Sequence, residues 1–195
     1  MEKRVFLIHG WGESPNDGWL PWLTSELEAQ GYFSESLEMP DSMNPTIESW
    51  VNTIKRAVGE PDEETYFVGH SMGCQAILRY IESLPNGKKV GGAVLVAPWF
   101  HLKDATWNDE GFTKELAEPW LTTPINLEKV KSKAKHFVGI VSDNDSYVPL
   151  EDKEIIKNKL GAEIAVLNNR GHISGDDGIV DLTIALIKLT KIMSQ

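Results

Sequence analysis

The pentapeptide Gly69-His70-Ser71-Met72-Gly73 lies directly between an apolar run and a helical pattern, and it restricts the fold more than any other feature. Thr65 to Val68 reads as a strand running into it. Cys74, Ile77, Leu78 and Ile81 follow at helical spacing until Pro85-Asn86-Gly87 breaks the pattern. The G-x-S-x-G pattern between a strand and a helix is a nucleophile elbow. The serine sits on a tight, strained turn, and the flanking glycines leave room for neighbouring chain. Its hydroxyl is thereby lifted above a sheet, over a helix N-terminus that favours negative charge.

The rest of the chain repeats this strand-helix alternation. Val5 to His9, Gly92 to Ala97, His136 to Val141 and Glu163 to Leu167 are further strand candidates, with a weaker one near Ser34 to Met39. Helices are expected over Gly18 to Gln30, from Asn44-Pro45 to Val58, over Leu150 to Leu160 and over Ile179 to Met193. Continuously apolar strands alternating with helices predict an α/β fold, a mostly parallel, doubly wound sheet of about six strands with helices on both faces. Ligands bind at the carboxyl ends of such strands, where the polar motifs of this chain fall.

The 195 residues suit one domain, expected to span 1–195. The opening apolar run Val5-Phe6-Leu7-Ile8 is too short for a signal-peptide core, and no apolar run reaches the ~18 residues of a membrane span. A single cysteine, Cys74, permits no internal disulfide. These features predict a cytoplasmic protein. No cysteine cluster or HExxH spacing points to a metal, and no cofactor is expected. The net charge of -10 argues against nucleic acid and anionic membrane as partners.

A serine hydroxyl needs a positioned base. In an elbow-type fold the partners follow in the order serine, acid, histidine. His101, His136 and His172 come after Ser71, and only His172 sits on a loop just past the last strand. The acid belongs on the loop Ser142 to Pro149, where Asp143 and Asp145 compete and Asp145 is favoured. Asp143 reads otherwise as a turn residue bonding its own backbone. The loop lacks the glycine and closing glutamate of a calcium-binding EF-hand. Oxyanion donors are expected from the backbone N–H of Met72 and of Trp11, the latter in His9-Gly10-Trp11-Gly12. His9 reads as structural.

These residues together resemble the retinoblastoma-binding-protein-9-like family, close to the bacterial YdeN-type serine hydrolases. The resemblance spans the chain. It rests on His9-Gly10-Trp11, the Trp19 to Leu23 helix start, the elbow followed by Cys74, Ser142 to Pro149, and Gly171-His172. It implies a small α/β-hydrolase fold without the first two strands usual in the superfamily, and a triad of Ser71, Asp145 and His172. In that family the acid precedes an x-x-Val/Leu-Pro tail, which Asp145-Ser146-Tyr147-Val148-Pro149 matches. The L-x-C-x-E segment tied to retinoblastoma-type partner binding is absent, so that partner is not expected here. Cys74 reads as a buried helix residue.

The stretch 98–135 occupies the usual cap position and is expected to form a short partial cover. It carries Trp99, Phe100, Trp107, Phe112 and Trp120. With Trp11, the residues Trp99, Phe100 and Trp120 are candidates for an aromatic acyl pocket suited to short neutral groups; packing under a long loop is the competing reading. The expected substrate is a small-molecule ester cleaved through an acyl-serine. Amide cleavage by the same triad, or a binding protein on a hydrolase fold, are the alternatives.

Overall fold

The computed structural model describes residues 2–108 and 111–195. Six strands form one parallel sheet: β1 (Arg4–Ile8), β2 (Phe33–Leu37), β3 (Thr65–His70), β4 (Val90–Val96), β5 (Ala134–Ser142) and β6 (Glu163–Leu167). Their spatial order is β2-β1-β3-β4-β5-β6. The order reverses between β1 and β3, so the crevice at their carboxyl ends is the natural place for a site.

The apolar strands are continuous because each is buried on both faces. Side chains alternate between two cores. Phe6, Ile8, Phe67, Ala93 and Leu95 face one layer, with α2 (Ile47–Val58) and α3 (Met72–Ser83). Val5, Leu7, Val68, Val94 and Val96 face the other, with α1 (Leu20–Ala29) and α7 (Thr183–Met193). Trp50, Ile54 and Val58 line the buried side of α2, and the Thr46 hydroxyl caps its start by accepting the amide of Ser49. Among the described residues no helix is long and apolar enough to cross a membrane.

Three segments differ from the periodicity reading. The stretch 98–135, for which periodicity gave no helix, contains a 3-10 turn (Asp104–Asn108), α4 (Lys114–Thr122) and α5 (Leu127–Ser132). Thr113 and Asn126 cap the two helices through Leu116 and Lys129 amides. Asp109 and Glu110 of that stretch lie outside the described residues. The helix expected over Leu150 to Leu160 divides into a short α6 (Asp152–Ile155) and a wider π turn (Ile156–Leu160), which buries Ile156 and Leu160 and closes at left-handed Gly161. Finally, α7 starts at Thr183 and not Ile179, because the Ile179 amide turns back to bond the Ser174 carbonyl.

Candidate active site

Ser71 is the junction between β3 and α3. Its backbone lies at φ 48, ψ -111, a left-handed conformation rare for a residue with a side chain. The turn is held by the Ser71 N–H donating to the Val96 carbonyl at 2.9 Å and by the Cys74 N–H returning to the Ser71 carbonyl at 3.0 Å. The elbow also needs Gly73. A Cβ there would stand 2.3 Å from the Ile8 carbonyl oxygen and 2.7 Å from that of His9, where only backbone could give way. The end of β1 thus lies against the first turn of α3.

His172 sits on the loop after β6. Its Nε2 is 2.9 Å from the Ser71 Oγ, and its Nδ1 is 2.8 Å from Asp145 Oδ2. The other oxygen of Asp145 accepts the amides of Tyr147 at 2.8 Å and Val148 at 3.0 Å. Burial raises the Asp145 pKa, but the hydrogen bond and charge of His172 together with those two amides outweigh it, and the carboxyl stays below its ordinary value. A carboxylate so placed keeps the proton of His172 on Nδ1 and leaves Nε2 free to accept from the serine.

The β5 loop also fixes the histidine loop. Ser142 Oγ accepts the Arg170 amide, Asn144 Oδ1 the Gly171 amide, and Asp143 Oδ1 the Asn169 amide, all within 3.0 Å. The expectation that Asp143 bonds its own turn is therefore corrected: its carboxylate reaches across to the next loop. Asp177 accepts the amides of His172 and Ser174 from the other side. Asparagine and aspartate at these positions carry no motif, and only the assembled loops reveal their part.

A cleft of about 570 Å³ opens over Ser71. Trp11, Met72, Trp99 and His172 border it, as do Met43, Phe112 and Tyr147. Met72 opens α3, so its N–H has no acceptor within the helix. The Trp11 ring is pinned by its Nε1–H to the Met43 carbonyl at 2.9 Å and meets Phe112 edge to face at 5.0 Å. Phe100 and Trp120 do not line this cleft. Both border a separate cavity of about 270 Å³ with Gln75 and Arg79. Trp120 points inward from α4, where its Nε1–H reaches the Pro45 carbonyl and its ring packs on Trp50. Aromatic composition could not tell these two cavities apart.

His9 and His101 make their contacts outside the line from Ser71 to Asp145, and Cys74 is buried. His9 is fully buried: Nε2 accepts the Met39 amide and Nδ1 faces the Gly10 carbonyl. His101 is exposed and pairs with Asp152 at 2.6 Å. Burial pushes the Cys74 thiol far up, so it holds no thiolate. Among the described residues no cluster of three metal-ligating side chains occurs.

Sequence reasoning missed one pair at the site. His70, inside the elbow, is 2 % exposed, and its Nδ1 lies 2.9 Å from Glu13 Oε2. The same oxygen accepts the Gly10 amide at 2.6 Å, while His70 Nε2 faces the His172 carbonyl at 3.0 Å. The available signal was a histidine within the elbow and an acid just after His9-Gly10-Trp11-Gly12.

The sequence profile of the serine hydrolases matches residues 5–191. The chain is 32% identical to the YdeN protein of Bacillus subtilis over 200 aligned positions, covering 100% of this chain and 98% of that one. It is 26% identical to the rat serine hydrolase RBBP9, covering 87% of this chain and 85% of the relative. The crystal structure of the Bacillus subtilis ydeN gene product superposes with a TM-score of 0.89 at 30% identity, over 99% of this chain and 100% of that one.

Proposed function

The chain belongs to the serine hydrolase family and has the α/β-hydrolase fold, and from that premise we propose that it is a small carboxylesterase working through an acyl-serine on Ser71, Asp145 and His172. The observation that carries this reading is the unbroken line of contacts from Ser71 Oγ through both ring nitrogens of His172 to Asp145, at 2.9 and 2.8 Å.

In this mechanism Ser71 Oγ attacks the ester carbonyl carbon as its proton passes to His172 Nε2. The carbonyl π electrons move to oxygen, and the oxyanion is met by the N–H groups of Trp11 and Met72. Asp145 remains ionised and stabilises the imidazolium. Collapse of the intermediate breaks the bond to the alcohol oxygen, which takes the proton from His172. Water then repeats the sequence on the acyl-serine, releasing the acid and restoring the hydroxyl. Every step uses side chains and backbone alone, with no cofactor.

The cleft supports a small substrate. Its size lies within the range of small-molecule pockets, and its walls include the rings of Trp11, Trp99 and Phe112. Short neutral acyl groups suit such walls. The single buried cysteine supports a cytoplasmic setting.

The test is a panel of esters, thioesters and aminoacyl amides of graded length, run with the wild type and Ser71→Ala. The proposal expects turnover of short esters that Ser71→Ala abolishes. Turnover confined to amides would replace the esterase reading, and no turnover by a folded protein would favour a binding role.

A further inference from the structure

His70 has only acceptors at both ring nitrogens. Nδ1 faces the Glu13 carboxylate and Nε2 faces the main-chain carbonyl of His172. A neutral imidazole carries one N–H and one lone pair, so it can serve only one of these contacts. Both are satisfied only when the Glu13–His70 pair holds a second, shared proton. Each contact ends on a different part of the site. Glu13 is also bonded to the Gly10 amide, next to the oxyanion residue Trp11, and the His172 carbonyl belongs to the base itself.

Space and packing reinforce this link. A Cβ on Gly10 would come within 2.8 Å of Glu13 Oε2 and 3.0 Å of His70 Nδ1, so the loop is moulded around the pair. The Trp19 indole meets the His70 ring edge to face at 6.0 Å and donates its Nε1–H to the Ile173 carbonyl, just past His172. The charged or titratable groups facing His70 are Glu13 from the oxyanion loop, Asp145 from the β5 loop and the His172 ring, 5.2 Å away.

We propose that Glu13 and His70 form a proton-holding clamp that positions the oxyanion loop and the base-bearing loop, and that losing its shared proton at alkaline pH releases one of them and slows turnover. This deepens the acyl-serine reading and rests on it. Both residues border the cleft, but their hydrogen bonds go to the two loops and not to Ser71 Oγ, so both are positioning residues. Electrostatics favour the charged clamp over a wide range. Burial alone would push Glu13 up, but the charge and hydrogen bond of His70, with the Gly10 amide, hold it down at about 2. Burial alone would lower His70, but the Glu13 carboxylate overrides it and keeps the ring protonated above its ordinary value.

The test has two measurements. The first follows the His70 ring by NMR in Ser71→Ala, which is expected to be doubly protonated at neutral pH and to titrate on the alkaline side. The second is the pH profile of kcat and KM in wild type and Glu13→Ala. The wild type should show an alkaline limb in kcat that coincides with the His70 titration. Glu13→Ala should lower kcat between about 10- and 100-fold, the scale of a small misplacement of catalytic groups. Its KM should change far less, and its alkaline limb should move to lower pH. A purely structural role would lower stability and leave the limb in place. A singly protonated His70 at neutral pH would overturn the clamp, whether or not Glu13→Ala folds. Activity retained in Ser71→Ala would instead overturn the acyl-serine reading.

Discussion

Asp145 Oδ2 stands 2.8 Å from His172 Nδ1, and the same carboxylate is anchored by two amides of its own loop. The neighbouring acid, Asp143, has its Oδ1 on the Asn169 amide at 2.9 Å. The two aspartates therefore carry different loads. Asp145→Asn keeps the shape and removes the charge that fixes the His172 tautomer, and kcat should fall by about 10⁴-fold. Asp143→Asn retains an acceptor at an exposed position and should cost about 1 kcal/mol of stability or less. Measuring kcat on one activated ester for both variants, after checking that each is folded, separates them. A crippled Asp143→Asn beside an active Asp145→Asn would reverse the assignment.

The Trp11 backbone and ring have separate roles. Its N–H is assigned to the oxyanion, while its ring is held by Met43 and Phe112 as a wall of the cleft. Trp11→Ala should therefore shift kcat/KM toward octanoyl over acetyl esters by about tenfold, about 1.4 kcal/mol. The rate of covalent labelling of Ser71 should change less. An equal loss across acetyl, butyryl and octanoyl esters would remove the ring from the pocket wall.

The Glu13–His70 pair also links stability to pH. Glu13 is held at about 2, below its ordinary value of 4.5, so its contribution is present above 4.5 and is lost as pH falls toward 2. His70 is raised above 6.5, so its contribution is complete below 6.5 and is lost as pH rises through the folded value. The stability difference between wild type and Glu13→Ala should be largest between those limits. Urea unfolding of both proteins from about pH 3 to pH 9 measures it. A difference that does not vary with pH would contradict the linkage.

Gly73→Ala tests the packing beneath the elbow. The added carbon meets the carbonyl oxygens of Ile8 and His9, which belong to β1 and its end and cannot rotate away. Overpacking against backbone should cost about 3 kcal/mol or more. Since β1 leads into the oxyanion loop, labelling of Ser71 should slow as well. A variant as stable and as reactive as the wild type would show that the β1 end can move freely.

Much of this architecture was legible in the sequence because a strand buried on both faces leaves a continuous apolar run, as in Val5 to Ile8 and Ala93 to Val96. The elbow was legible because it combines glycines, a serine and a change of period within a few residues. The short α4 and α5 were not read. Pro119 interrupts the pattern of one, and the other has six residues, too few for periodicity. Their caps, Thr113 and Asn126, were the available signals. Phe100 and Trp120 were placed at the wrong cavity because aromatic content says nothing about which side of α3 a ring meets. The Glu13–His70 clamp joins residues 57 apart in sequence, and only the closeness of the β1 and β3 ends brings them together.

Ser71 as the nucleophile and His172 as its base are open to direct measurement. The most direct measurement is treatment with a fluorophosphonate probe, followed by intact mass and peptide mapping of wild type, Ser71→Ala and His172→Ala. A single adduct is expected on Ser71 in the wild type, none in Ser71→Ala and strongly slowed labelling in His172→Ala. Ser71→Ala should also lose about 10⁴-fold or more of any turnover the wild type shows. An adduct on another residue, or labelling undiminished in Ser71→Ala, would contradict that assignment.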